Sequence, residues 1–439
     1  MEYAQVLENA RKSIGPKCKV CPVCNALGCG NTIPGPGSKA PGNGANDNFK
    51  AWRAIKLNMD TYVENTPIDT STELLGRKLA FPLLTAPIGS LKLQFNPTDD
   101  ISDFNEKCMA ACESRGILHA FGNGLTPGVW DKAIASGRSH GNNGIPVFNP
   151  ASVEEIKELM DQYKGCLLPP AMCIVVDSAG LPHLRKLNAK GGTKTVAELR
   201  ELREYAKTPM IIKGIMTADA AKKAVDAGAD AIVVSNHGGR VLADAPSTAE
   251  VLPEIVEAVK GQTKIFIDGG IRFGIDVFKA LAMGADACLI CRPVLISYYG
   301  GGQEGIECYL DKIREELVDA MYMFDAALRN TRIEMSPAER RQFYEKHIRH
   351  MTLTIDENGN VSIELKRGYP DISPSKAPAR TRHRPHRTPR AGRRTVTPAH
   401  EATPGVCPYG PSCFTCPLPD CRQPANVCLG VNRLTLEWL

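Results

Sequence analysis

Ala231-Ile232-Val233-Val234-Ser235-Asn236-His237-Gly238-Gly239-Arg240 decides the fold. Four apolar, mostly β-branched residues make a strand of buried length, which stops abruptly in a polar, glycine-rich turn. Further on, Lys264-Ile265-Phe266-Ile267 runs in the same way into Asp268-Gly269-Gly270-Ile271-Arg272. Both strands deliver charged residues and paired glycines from their carboxyl ends.

Working outward from Ala231 to Ser235 and Lys264 to Asp268, six more runs have this character. They are Phe81 to Ala86, Ile117 to Phe121, Ile145 to Phe148, Ala171 to Val176, Met210 to Lys213 and Ala287 to Cys291. The intervening segments Ser152 to Tyr163, Thr195 to Ala206, Thr217 to Ala227, Thr248 to Lys260 and Gly274 to Met283 space their apolar residues three and four apart, as amphipathic helices do. Eight strands with helices between them predict an α/β chain built as a (β/α)8 TIM barrel. A doubly wound sheet would need a glycine-rich turn after the first strand, and Thr85-Ala86-Pro87-Ile88-Gly89 makes a poor one.

The chain has 439 residues, 43% of them hydrophobic, which suffices for a full core and excludes disorder throughout. Of the net charge of +5, residues 371–439 carry +6 from ten Lys and Arg against four Asp and Glu, so the remainder is near neutral. A near-neutral body points to a small-molecule enzyme and away from nucleic acid or an anionic membrane. Met1 to Lys12 has no apolar signal region and no window holds eighteen consecutive apolar residues, so the expected protein is soluble and cytoplasmic. The expected organisation is a Cys-rich segment over 1–45, the barrel over 46–370, a disordered Pro- and Arg-rich linker over 371–405, and a Cys-rich tail over 406–439.

Reactive groups of a (β/α)8 barrel sit where its strands end, with phosphate commonly held after strands seven and eight. Asp177, Lys213, His237, Asp268 and Arg292 all fall there. Gly269 and Gly270 let backbone amides approach a phosphate, the helix beginning near Gly274 directs its positive end at it, and Arg272 and Arg292 add charge. The alternative is two ordinary tight turns with surface arginines. His237 is either a hydrogen-bonded structural residue or a general base. As a base it would be oriented by Asp177, with Arg240 holding an anionic substrate. Lys213, in Ile211-Ile212-Lys213-Gly214, reads as an interior cation in need of an anionic partner.

From about Pro209 to Pro293 the chain resembles the FMN-dependent α-hydroxy-acid oxidase and dehydrogenase family, to which glycolate oxidase, lactate oxidase and flavocytochrome b2 belong. The resembling pieces are Ile212-Lys213-Gly214-Ile215, Ser235 to Arg240, Asp268 to Arg272 with Gly274, and Gly284-Ala285-Asp286 leading to Cys291-Arg292-Pro293. The resemblance implies that His237 takes the substrate proton with Asp177 behind it, Arg240 pairs with the substrate carboxylate, and Lys213 sits by the flavin N1 and O2. It further implies that Ser235, Asp268, Gly269, Gly270, Arg272, Gly274 and Arg292 contribute to FMN binding, while Ala86, Pro87 and Ile88 back the isoalloxazine. A 2-hydroxy acid would leave as a 2-oxo acid, with an unspecified electron acceptor and the homo-oligomerisation common to such barrels.

The chain also departs from that family. A tyrosine pair expected before a Ser-Gly-Ala segment is replaced by Lys39-Ala40-Pro41-Gly42-Asn43-Gly44-Ala45, and Ile145-Pro146-Val147-Phe148-Asn149-Pro150 lacks a second expected tyrosine. A second substrate arginine falls at Arg185, one residue further from Asp177 than the family spacing. These departures keep open an FMN-dependent isomerase of the type 2 isopentenyl-diphosphate isomerase kind, or a barrel acting as scaffold for a flavin and iron–sulfur electron-transfer protein.

Two of the sixteen-cysteine chain's clusters have ligand-like spacing. Cys18, Cys21, Cys24 and Cys29 form C-x2-C-x2-C-x4-C, enough soft ligands for an iron–sulfur cluster or a zinc ion. Cys407, Cys413, Cys416, Cys421 and Cys428 form a second set, read either as a small metal knuckle or as an unfolded terminus. Cys108 and Cys112, and Cys288 and Cys291, read as small apolar residues of the core.

Overall fold

The computed structural model describes residues 1–30, 42–57, 67–92, 95–96, 98–122, 128–163, 168–181, 192–323, 348–355 and 361–367. The chain divides into a unit Met1–Pro374 and a second, Ser375–Leu439, which lies wholly outside the described residues together with the expected linker and its cysteine-rich tail.

Helix α1 (Tyr3–Ser13) comes first, then α2 (Gly44–Ala54), strand β1 (Ile55–Leu57), and a hairpin of β2 (Thr72–Leu74) and β3 (Arg77–Leu79). From there strand and helix alternate through β4 (Leu83–Thr85), α3 (Ile101–Ser114), β5 (Leu118–Gly122), α4 (Val129–Ser139), β6 (Gly144–Phe148), α5 (Val153–Asp161) and β7 (Met172–Val175). The series continues with α6 (Val196–Ala206), β8 (Met210–Ile215), α7 (Ala218–Asp226), β9 (Ala231–Val234), α8 (Thr248–Val259), β10 (Lys264–Ile267), α9 (Gly274–Ala282) and β11 (Ala287–Ile290). A helical stretch α10 (Arg292–Tyr322), broken at Gly301 and Gly302, follows, and β12 (Ile348–Ile355) and β13 (Val361–Arg367) come last. Among the described residues no helix is long and apolar enough to cross a membrane.

Strands β4 to β11 close into a barrel in which each is hydrogen-bonded to its sequence neighbours and β11 returns to β4, as the eight apolar runs predict. Period-two alternation explains why those runs are continuous rather than alternating: both faces of every strand are buried. In β9, Ala231 and Val233 join an interior cluster with Phe266 and Leu289, while Ile232 and Val234 join the shell beneath the helices. Leu74 and Leu79 of the hairpin belong to the interior cluster too, and their place just before β4 puts that plug at the end where the strands begin. A separate sheet pairs β1 with β12 and β12 with β13, all antiparallel, and no sequence pattern announces it.

The opposite rim is set by helix caps. Ser152, Thr195 and Ser247 each form a capping box with Glu155, Glu198 and Glu250, fixing where the helices after β6, β7 and β9 begin. Helix α1 docks on α10 so closely that a Cβ on Gly300 would stand 2.1 Å from the Val6 carbonyl oxygen.

Phe266 is fully buried and is the one aromatic side chain of the interior cluster. Phe266→Ala should therefore leave a cavity at the barrel's centre and destabilise the protein by about 3–5 kcal/mol. The midpoint of urea unfolding at unchanged slope measures it, and a change under about 1 kcal/mol would mean that the interior is not close-packed.

Candidate active site

One cavity of about 150 Å³ opens at the carboxyl ends of the strands. Ala86, Pro87 and Ile88 after β4 form one wall. Lys213 in β8 and His237 and Arg240 after β9 face it, as do Asp268, Gly269, Gly270 and Arg272 after β10 and Arg292 after β11. Residues far apart in sequence meet here because consecutive parallel strands all end on one rim. Three of the sequence-predicted positions lie off the cavity lining: Asp177 stands against His237 Nδ1, Ser235 accepts a hydrogen bond from Lys213 Nζ at 2.6 Å, and Gly274 packs on α10, where a Cβ would stand 2.2 Å from the Leu317 nitrogen. Arg185 lies outside the described residues.

Lys213 is only 4% exposed, and its ammonium lies 2.9 Å from Asp268 Oδ2. Burial works to lower its pKa, but the carboxylates of Asp268 and Asp177 outweigh it and the net shift is upward, so the group is a fixed cation. Asp177, in a short 3-10 turn after β7, presents both carboxylate oxygens 3.2 Å from His237 Nδ1. Burial alone would raise its pKa; His237 and Lys213 reverse that and hold the carboxyl below its usual range. An ionised carboxylate only accepts, so Nδ1 carries the hydrogen and the lone pair is left on Nε2. The pair needs Gly214 at φ +108°, because a Cβ there would stand 2.7 Å from the Asp177 side chain.

His237 itself is held in a left-handed backbone conformation, φ 55°, and its N–H donates to Ser235 Oγ at 3.2 Å. A non-glycine residue at positive φ stores strain of about 1 kcal/mol or more and persists only where neighbours impose it. Arg240 is 7% exposed, and its Nε is buried without a hydrogen-bond partner. The same holds for Arg272 Nη2 and Arg292 Nη1. Three cavity-lining guanidiniums with unsatisfied buried donors are sites for anions, since a desolvated donor left unpaired costs about 1–3 kcal/mol.

Helix α2 is the part of the site that motif reading does not find. Asn48 and Asn236 exchange side-chain hydrogen bonds of 2.7 and 2.9 Å, Asn48 Oδ1 accepts from the Thr248 N–H at 3.0 Å, and Trp52 Nε1 donates to the Gly269 carbonyl at 2.8 Å. A Cβ on Gly270 would stand 2.5 Å from the Asn48 carbonyl oxygen, and one on Gly239 2.8 Å from the Gly44 Cα. The paired glycines are thus required by the helix behind them as well as by the space in front. The small-residue run Gly42 to Ala45 is the sequence trace of that close approach.

Cys18, Cys21, Cys24 and Cys29 line a second, smaller cavity that Arg292 shares. Among the described residues no group of three or more His, Cys, Asp or Glu side chains is arrayed to hold a metal ion. Cys108, Cys112 and Cys288 are fully buried as core residues, whereas Cys291 reaches the main cavity at the end of β11.

A protein-family model described as FMN-dependent dehydrogenase matches residues 37–182 and 177–326. The chain is 30% identical over 305 residues, covering 62% of it and 81% of the relative, to peroxisomal (S)-2-hydroxyacid oxidase GLO3 of Arabidopsis thaliana. It is 30% identical over 315 residues, covering 63% and 84%, to the L-lactate oxidase of a Nostoc strain. A solved variant of mandelate oxidase carrying a C4a-OH-FMN adduct superposes with a TM-score of 0.59 at 25% identity, over 83% of this chain and 99% of that one. A barrel whose strand ends gather these cations, matched by the family model from residue 37 to residue 326, belongs to the FMN-dependent dehydrogenase family.

Proposed function

We propose that this FMN-dependent oxidoreductase converts a small 2-hydroxy acid to the 2-oxo acid, with His237 as base and Arg240 as the carboxylate's partner. The observation that carries the reading is that one cavity is lined both by an imidazole whose Nδ1 faces an ionised carboxylate and by a buried guanidinium with an unsatisfied donor. Hydroxyacid oxidases of plant, bacterial and slime-mould origin among the relatives support it, and neither the isomerase nor the scaffold alternative finds support among them.

The residues present fit FMN. Arg272 Nη2 and Arg292 Nη1 are buried donors awaiting an anion, and the turn at Gly269 and Gly270 exposes backbone beside them, so these four would take the phosphate end. Ala86, Pro87 and Ile88 offer an apolar wall to a flat ring. Lys213, kept charged by Asp268 and Asp177, would stand where negative charge on the reduced ring is favoured. When bound, FMN supplies the acceptor for the two electrons that leave the substrate carbon.

The chain's own work is then binding and proton transfer. Arg240 would hold the substrate carboxylate and so fix the hydroxyl relative to the imidazole. His237 Nε2 takes the hydroxyl proton, and the imidazolium formed is stabilised by Asp177, whose carboxylate accepts from Nδ1–H. Apolar Val147, Val175, Leu181 and Leu289 complete the lining and keep water from these charges.

Three outcomes test this. His237→Gln should retain FMN yet slow its anaerobic bleaching by a 2-hydroxy acid by at least about 10²-fold; unchanged bleaching removes the imidazole from the reaction. Arg240→Lys, which keeps charge but not the planar fork, should raise KM for the 2-hydroxy acid by about tenfold or more with FMN affinity unchanged; equal losses in both would place Arg240 in cofactor binding instead.

The third concerns pH. Because the Asp177 pKa is depressed on folding from 3.8, the stability it contributes is complete above that value and is lost as pH falls through the lower folded value. The gap in urea midpoint between wild type and Asp177→Asn should shrink as the pH falls below about 4. A gap that stays unchanged from about pH 5 down to about pH 3 would contradict the depressed Asp177 pKa.

A further inference from the structure

His237 reaches the cavity on a turn of unusual backbone. Three consecutive positions, His237, Gly238 and Gly239, have φ of 55°, 65° and 76°. Glycine takes such values freely and histidine does not, so His237 keeps its conformation only while the backbone that follows it is fixed. Inside the turn, Asn236 does the fixing: its Oδ1 accepts from the Gly238 N–H at 3.1 Å and its carbonyl accepts from the Gly239 N–H at 2.9 Å. A side-chain amide can rotate, however, and its hold on Gly238 is only as firm as its own orientation.

That orientation is set by a helix from far away in the chain. Gly44, Asn48 and Trp52 follow one another at intervals of four in α2 and therefore share one face. Gly44 abuts the turn, since a Cβ on it would stand 2.9 Å from the Gly239 Cα. One helical turn on, Asn48 Nδ2 donates at 2.7 Å to the same Asn236 Oδ1 that caps Gly238, while Asn48 Oδ1 accepts from Asn236 Nδ2 at 2.9 Å. Two opposed bonds between the amides fix the plane of both. Asn48 Oδ1 is held in turn by the Thr248 N–H at 3.0 Å, and Thr248 Oγ1 donates to the Asp268 carbonyl at 2.7 Å. Asn48 is fully buried and Asn236 is 5% exposed, so water does not compete for these bonds and the satisfied network is rigid.

We propose that Asn48 is a positioning residue for the reaction: acting through Asn236, it holds the turn that aims the His237 imidazole into the cavity. This inference rests on the reading of His237 as the base. His237 and Gly238 line the cavity, whereas Asn48 and Asn236 stand behind it, so Asn48 acts without touching cofactor or substrate. An asparagine that served folding alone would weaken the whole rim, whatever residue stood at position 237. A positioning residue has an effect only while there is an imidazole to aim, because misplacing a proton acceptor slows the step that uses it and leaves other steps alone.

The test is a double-mutant cycle on the full-length, FMN-loaded chain, read as anaerobic bleaching by a 2-hydroxy acid such as lactate. Asn48→Ala should slow the limiting rate of bleaching by about tenfold or more, while the acid concentration giving half that rate changes by less than about twofold. In a His237→Gln background the same substitution should alter the rate by less than about twofold. Asn48→Ser, whose hydroxyl can still accept from the Thr248 N–H, supplies the same comparison where Asn48→Ala does not fold. FMN content after acid release, read in every sample, reports whether the site is intact. Equal slowing with and without the imidazole, an effect confined to the half-saturating concentration, no slowing, or loss of FMN from both Asn48 variants would each overturn the proposal. Unchanged bleaching in His237→Gln alone would instead remove the base itself, and this proposal with it, so the two failures are told apart.

Discussion

The site is organised around a buried lysine that has to be paired. Lys213 leaves β8 with its ammonium out of water, a placement that costs several kcal/mol unless an anion is in contact. Asp268 supplies that anion from β10, Ser235 after β9 accepts a further hydrogen bond, and Asp177 after β7 adds a second negative charge. Four consecutive strands of the barrel are therefore registered against one another at the rim by one charge. The same arrangement settles the state of its neighbours: Asp177 stays ionised, which fixes the hydrogen of His237 on Nδ1. Removing the lysine would take from Asp268 the cation in contact with it and leave Asp177 with His237 alone, so this network joins the fold's integrity to the state of the cavity.

Behind that rim a second constraint works through shape. Helix α2 lies so close to the turns after β9 and β10 that backbone, not side chain, makes the contact at Gly239 and Gly270. Asn48 fills the gap with hydrogen bonds to Asn236 and Thr248, so one side chain links α2 to both β9 and α8. The turns that carry His237, Arg240 and Arg272 are rigid because they are wedged between this helix and the barrel. A rigid backbone is what allows His237 to remain at positive φ.

Legibility in the sequence followed from how local each constraint is. Barrel strands are buried on both faces, so they appear as unbroken apolar runs such as Ala231 to Val234 and Met210 to Ile212, and all eight could be located. Charged residues at their ends stood out for the same reason. By contrast β1 has three residues of mixed burial and gains its meaning only from pairing with β12, nearly three hundred positions later, a partner that no window of sequence contains. Asn48 was unreadable on the same grounds: an asparagine in a polar helix carries no sign that the turn it touches is remote. Gly274 shows the converse, since its place beside a phosphate-like motif suggested the cofactor, while the reason for glycine there is the α10 backbone 2.2 Å from where a Cβ would be.

One departure from the family falls at the cavity wall, and its place is informative. On the phosphate side Gly269, Gly270, Arg272 and Arg292 are all present and line the space together. Arg240 and His237, the proposed carboxylate partner and base, line the cavity too, but the stretch where a tyrosine was expected contributes Val147 and Asn149. A phenol can hydrogen-bond a hydroxyl or carboxylate oxygen; a valine cannot, and an asparagine does so from a shorter reach. On the proposed reading, substrate orientation would therefore fall more heavily on the guanidinium and the imidazole than it would with a phenol at that wall. Positioning by one ionic contact and one proton acceptor fixes the reacting carbon while leaving the rest of the substrate constrained mainly by apolar surface, which discriminates side chains by only about 1–3 kcal/mol per methylene. Selectivity among 2-hydroxy acids should on this account be set by the volume between Val147, Leu181 and Leu289 rather than by polar recognition of the side chain.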